Sequence, residues 1–270
     1  MAESATRSGA PERAAQPAPA AAAAELLAAI GFLTRLPLRP GWVHGDRTGG
    51  AAYGLVGAGL GLAAGVPVLI AGAAHPVLAS LAALALLAVL DGGLHLDGLA
   101  DTVDALAAPP GSANRARTDP RAGTAGVVAV VLALGLDAAA LADLAGRGGF
   151  AALAAVVAAA AASRAIAPAW AVLVGRRRTP AEGLGSWFAE TTTGFAATIA
   201  LVTAAIFVGV AVELGGVSNG IGTLVGTIAA AFVGGAVIRW RRQLDGDGYG
   251  AVIEMTFTAI VVASAAAAVG

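Results

Sequence analysis

Residues 76–106 read PVLASLAALALLAVLDGGLHLDGLADTVDAL, and their character changes at one point. Apart from Ser80, the first fifteen are apolar or small, like the end of a membrane-crossing helix. Asp91 then opens a run with four aspartates, Asp91, Asp97, Asp101 and Asp104, in fourteen positions. An ionised carboxylate beside hydrocarbon forfeits its hydration, so the run marks either a functional site or a helix face turned to water. Asp97, Asp101 and Asp104 are spaced i, i+4, i+7 and share one face of a helix. Three anions on one face repel one another unless a cation sits among them, and carboxylate oxygens suit a hard ion such as Mg²⁺. Asp91 lies across the Gly92–Gly93 break and leaves that face on a continuous helix; it joins the others only through a distorted backbone, as a cap or a ligand. His95 also points elsewhere, which suits a hydrogen-bonding role at a substrate better than metal ligation. The plain alternative makes Asp97 a helix cap and the other two a solvated face.

The rest of the chain supports a membrane setting. Of 270 residues, 58% are hydrophobic and 12% charged, against about 25% charged in soluble proteins. Mean hydropathy is +0.81. Cysteine is absent, which excludes disulfides and thiolate-held metals, and the net charge of −1 gives no reason to expect nucleic acid. Apolar stretches recur at 51–71, 76–91, 124–145, 149–174, 194–214, 217–238 and 251–270. Most approach the roughly 20 residues that a spanning helix needs, and 76–91 is short unless GGLHL extends it. The expected fold is an all-α polytopic membrane bundle of about seven helices. Residues 1–24, polar at the start and rich in Pro and Ala, are expected to form a disordered extension with no signal-peptide cleavage site. Residues 25–270 are expected to form a single membrane-embedded domain. Gly57, Gly61 and Gly65 have the small-xxx-small spacing that lets two helices pack closely.

Arginine alternates between connections. Arg35, Arg39 and Arg47 precede the first span. Arg115, Arg117 and Arg121 follow the second, Arg176, Arg177 and Arg178 the fourth, and Arg239, Arg241 and Arg242 the sixth. The other connections hold Arg147 alone. By the positive-inside rule the N-terminus is cytoplasmic and the aspartate run faces the cytoplasm. Arg121, with Gly123 and Gly126 at a helix start, offers a guanidinium and backbone N–H groups to phosphate. Arg164 lies inside an apolar span, where a cation needs a partner; the aspartates or a substrate phosphate are candidates. Glu182 sits in a cytoplasmic loop and Glu254 inside the last apolar stretch. Asp245 and Asp247 belong to a Gly-rich turn, where an ordinary turn role competes with a functional one.

The segments FLTRLP, GGLHLDGLADTVD, DPRAGTAG, the Ser163–Arg164 pair, EGLG and GDGYGAVIE occur in this order. Together they resemble the cobalamin synthase family, the adenosylcobinamide-GDP ribazoletransferases, over about residues 30 to 260. The resemblance implies a multi-pass enzyme of the bacterial inner membrane that requires Mg²⁺ and works on the cytoplasmic side. It would join adenosylcobinamide-GDP to α-ribazole, or its 5′-phosphate, and release GMP. Asp97, Asp101 and Asp104 would hold the metal, one of them or Glu254 would accept the proton, and His95, Arg121, Arg164, Glu182 and Asp247 would contact substrate or phosphate. The lipid bilayer and the two small molecules are the expected partners, with a second copy of the chain as a further candidate. Asp91, Ala105, Asp137, Gly54 and Phe257 depart from the family pattern. Asp137 stands where Lys is common and Phe257 where a second Glu is. Two rival readings remain. A CDP-alcohol phosphotransferase uses a different aspartate spacing, because DGLAD brings the second Asp too close. A cation- or proton-coupled transporter tends to show an internal repeat, and HLDGLADTVD is not repeated.

Overall fold

Helix dominates because Ala and Leu favour it and because a chain crossing lipid must satisfy its backbone N–H and C=O groups internally. The computed structural model describes residues 18–39, 42, 47–109, 123–175 and 182–268. Among these residues there is no strand. The helices are α1 (Ala18–Leu33), α2 (Tyr53–Ala71, entered through a short 3₁₀ turn at Gly50–Ala52), α3 (Pro76–Asp91) and α4 (Leu94–Ala107). They continue with α5 (Thr124–Arg147), α6 (Gly149–Val174), α7 (Leu184–Thr191), α8 (Gly194–Gly215), α9 (Ser218–Arg241) and α10 (Gly246–Ala267). Six of them, α2, α5, α6, α8, α9 and α10, are long and apolar enough to cross a membrane. α1 begins at Ala18, so its first turns lie inside the segment expected to be disordered.

The stretch expected to form a further span is a bent pair of helices instead. α3 and α4 meet at 90°, because Gly92 and Gly93 both take left-handed backbone, each with φ of 69°, a conformation that costs a Cβ-bearing residue 1–2 kcal/mol by order of magnitude. The sixteen residues of α3 extend roughly 24 Å at the usual helical rise, short of a hydrocarbon core about 30 Å thick. GGLHL therefore does not lengthen α3; it turns the chain and starts a new helix across the bundle end.

Two helices form the centre. The spanning segments of α6 and α10 are 72% and 67% buried, whereas those of α5, α8 and α9 are less than a third buried. The outer helices instead present Val131, Leu132, Phe195, Ile206, Ile228 and Phe232 outward, as expected where lipid replaces water. The Gly57–Gly61–Gly65 stripe of α2 finds its partner in α6. A Cβ at Gly61 would lie 2.8 Å from the Val157 Cα, and Gly57 and Gly65 press as closely on Ala160 and Leu153. Such contact replaces the hydrophobic driving force that helices lack in lipid. α4 and α10 meet in the same way: a Cβ at Gly98 would stand 2.9 Å from the Gly250 Cα.

Candidate active site

A cavity of about 390 Å³ opens where α1, α2, α4, α6, α7 and α10 converge. Leu94, His95, Asp97 and Gly98 of the α4 motif line it, with Glu182 to Gly185 of EGLG and Asp247, Tyr249 and Gly250 of GDGYG. Three segments far apart in the chain thus share one volume, within the range typical of small-molecule sites. Phe32, Tyr53 and Phe188 complete the wall. Of the residues that sequence reasoning singled out, His95, Asp97, Glu182, Asp245 and Asp247 reach the cavity. Asp97 also borders a second, shallower hollow with Arg35, Gly93, Ala100 and Val127. It stands on the ridge between the two.

Arg164 does not face this cavity. It is 1% exposed, and its NH2 lies 3.1 Å from Asp91 Oδ2 and 3.4 Å from His95 Nδ1. Asp91 ends α3, His95 starts α4, and Arg164 comes from α6, so the turn between α3 and α4 is fastened to the central helix. His95 Nδ1 is 3.5 Å from the same Asp91 oxygen. The Arg164 guanidinium carbon also lies over Phe257, 5.8 Å from its ring centroid. Of the partners the sequence allows Arg164, an aspartate or a substrate phosphate, the structure supplies an aspartate: the guanidinium meets Asp91, which is 6% exposed. Glu254 is buried too and borders Asp91, Leu96, Leu134 and Phe257 rather than the cavity.

The α4 carboxylates also separate. Asp97 is exposed at the cavity and Asp101, half-buried, follows one turn later. Asp104 Oδ2 accepts the Gly123 N–H at 2.7 Å, and its Oδ1 accepts the Gly126 N–H at 2.7 Å. The start of α5, expected to bind a substrate phosphate, is thus capped by a carboxylate of the protein; Arg121 lies outside the described residues. Among the described residues no three His, Cys, Asp or Glu side chains are placed to hold a metal ion. A cage built from Asp97, Asp101 and Asp104 together is therefore not formed. The donor set still fits Mg²⁺ in its commoner mode, one or two carboxylates completed by substrate phosphates.

The chain matches the cobalamin-5-phosphate synthase family over residues 25–265. It belongs to that family. The adenosylcobinamide-GDP ribazoletransferase of Brucella canis is 38% identical over 135 residues, 46% of this chain and 51% of that protein. The protein of the same name from Pseudomonas paraeruginosa is 43% identical over 137 residues, 46% of this chain and 53% of that protein. The chain spans about half the length of the curated relatives it matches. No solved structure matches it significantly.

Two positions where this cobalamin-5-phosphate synthase family member departs from the pattern, Asp91 and Phe257, both touch Arg164. A third, Asp137 on α5, is fully buried; its Oδ2 accepts from Thr258 Oγ1 at 3.2 Å and its Oδ1 has no partner among the described residues. Sequence reasoning gave Asp245 two roles, and the structure supplies the ordinary one. Asp245 caps α10 by accepting the Gly248 N–H at 3.0 Å and pairs with Arg241 at 2.6 Å. Tyr53, Phe188 and Tyr249 were missed, since aromatic residues on apolar helices read as core until their neighbours are known.

Proposed function

We propose that the chain is an adenosylcobinamide-GDP ribazoletransferase, joining adenosylcobinamide-GDP to α-ribazole or its 5′-phosphate with release of GMP. What carries the reading is the meeting of three separated family motifs on one cavity, with Asp97 between that cavity and the Arg35 hollow. A hydroxyl of the ribazole ribose attacks the cobinamide-side phosphorus, and the bond from that phosphorus to the oxygen shared with GMP breaks. The carboxylates at the cavity rim, Asp97, Glu182 and Asp247, orient hydroxyls by accepting their hydrogen bonds, and Asp97 receives the proton of the attacking one. Arg35, in the neighbouring hollow, offsets negative charge on the diphosphate. Bound Mg²⁺, held by Asp97 and Asp101, would supply further charge neutralisation on the phosphoryl oxygens. Asp91 and His95 hold Arg164 and, through it, the angle between α3 and α4 that sets Asp97 at the rim.

The orientation belongs to the same proposal: the arginine-bearing connections and the cavity face the cytoplasm. Purified protein incubated with adenosylcobinamide-GDP, α-ribazole and Mg²⁺ should release GMP, and no release overturns the assignment. In intact cells a cysteine at Val217, which is 71% exposed beside the buried Ser218, should react with an impermeant thiol reagent. Cysteines at Arg117 and Arg177 should be shielded, and labelling at Arg177 from outside would reverse the orientation.

A further inference from the structure

The starts of α2 and α8 lie side by side: a Cβ at Gly50, in the entry turn of α2, would stand 3.5 Å from Thr192 Oγ1, just ahead of α8. α1 packs across the same turn, with Gly49 pressed against the backbone of Glu25 and Ala29. Together the three helices frame a groove of about 710 Å³ that shares no lining residue with the α4 cavity. Leu55 and Phe195 line it and are 44% and 76% exposed, so the groove is open along α2 and α8. Beyond them the outward faces of both helices stay apolar, through Leu62 and Val66 on α2 and Val202 and Ile206 on α8. Both helices are long and apolar enough to span. The groove therefore begins where two spans meet water and leads toward hydrocarbon.

The polar groups of the groove sit at that beginning. Among the described residues, Glu25 and Arg47 are the two charged ones that line it. Their side chains lie 3.6 Å apart and are 30% and 26% exposed, and a pair so open to solvent is weak enough to exchange partners. The threonine hydroxyls are already used: Thr191 donates to Trp187 O at 2.9 Å, Thr203 donates to Ile199 O at 2.8 Å, and Thr193 accepts the Ala196 N–H at 3.1 Å. A matching ligand thus has an apolar tail, an anionic group for Arg47 and, within a few ångströms of it, a cationic donor for Glu25. A zwitterionic phospholipid has this form. Phosphatidylglycerol offers no cation, and its net charge would face the Glu25 carboxylate. The quaternary amine of phosphatidylcholine has no N–H to donate, whereas the ammonium of phosphatidylethanolamine has three, and a charge-assisted hydrogen bond is the stronger contact. We propose that the groove binds one phosphatidylethanolamine, phosphate on Arg47, ammonium on Glu25 and an acyl chain along Leu55, Phe195 and Ile199. α1 connects this site to the other cavity, since Glu25 and Leu26 line the groove while Phe32 and Leu33 line the cavity of the α4 motif. A seated lipid braces that shared wall.

The full chain is placed in nanodiscs of equal parts phosphatidylethanolamine, phosphatidylcholine and phosphatidylglycerol, released, and weighed with its retained lipid by native mass spectrometry. Wild type should keep one phosphatidylethanolamine about three- to tenfold more often than either other lipid, the worth of one net hydrogen bond. Glu25→Gln should lose the preference over phosphatidylcholine, and Glu25→Arg should turn it toward phosphatidylglycerol. Arg47→Gln should lower retention of all three. Wild type that retains the three lipids equally, or favours another of them, overturns the proposal without any variant. So does a Glu25→Gln protein that keeps the wild-type preference.

Discussion

Asp91 and Asp97 are six residues apart, on opposite sides of the Gly92–Gly93 turn, and their surroundings differ completely. Asp91 is 6% exposed and holds Arg164 and the Gly93 N–H. Asp97 is exposed between two cavities, with no side-chain hydrogen bond among the described residues. The same carboxyl group is a fastening in one place and an open, water-facing acceptor in the other. The difference comes from solvent. A charge buried away from water is tolerable only beside its counter-charge, so its lone pairs are already used. A charge at the mouth of a cavity keeps its hydration and can exchange it for a ligand.

If that contrast is right, the largest stability effect comes from the fastening. Asp91→Asn leaves the Arg164 cation buried and unpaired and should cost about 3–5 kcal/mol of stability, read as a lower unfolding midpoint in detergent. Adding Arg164→Met to it removes the orphaned charge and should restore most of the midpoint. A single Asp91→Asn variant with wild-type stability would break the comparison from its buried side.

Asp97→Asn should do the reverse. Stability should be unchanged, while GMP release falls at least ~10²-fold, or the Mg²⁺ concentration for half-maximal rate rises markedly, as for loss of one preorganised electrostatic group. Full turnover with unchanged Mg²⁺ dependence would place the chemistry elsewhere.

Gly98 joins the two sides, since it lets α4 lie on α10. A Cβ there forces the helices apart, so Gly98→Ala should cost about 1–3 kcal/mol and lower activity through the shift of Asp97. The smallest effect belongs to Asp104→Ala. Losing the cap on α5 should cost about 0.5–2 kcal/mol, seen as a modest drop in midpoint, and less activity than Asp97→Asn. An Asp104 variant with normal stability and the Mg²⁺ defect of Asp97→Asn would restore the shared metal face that the i, i+4, i+7 spacing suggests.

Helical periodicity and composition alone determined the membrane bundle, its spans and the position of its break. Apolar stretches of about span length leave no other way to satisfy the backbone in lipid, and two adjacent glycines after Asp91 announce a change of direction. Of the polar residues on the cavity, His95 was legible as a polar side chain beside an apolar span, whereas Glu182 and Asp247, in exposed or half-exposed turns, were legible only as parts of EGLG and GDGYGAVIE. What a helix face shows is only direction, not what lies opposite. Tertiary packing alone decided which of the aspartates Arg164 meets, because α3, α4 and α6 are brought together from positions as far as 73 residues apart. It also decided that Asp104 closes the start of α5, and that Tyr53 of α2 and Tyr249 of α10 line one cavity, each packed on Phe188. Each of these depends on which helix lies beside which, and that is fixed by close contacts such as Gly61 on Val157 and Gly98 on Gly250, whose complementarity no local stretch of chain contains.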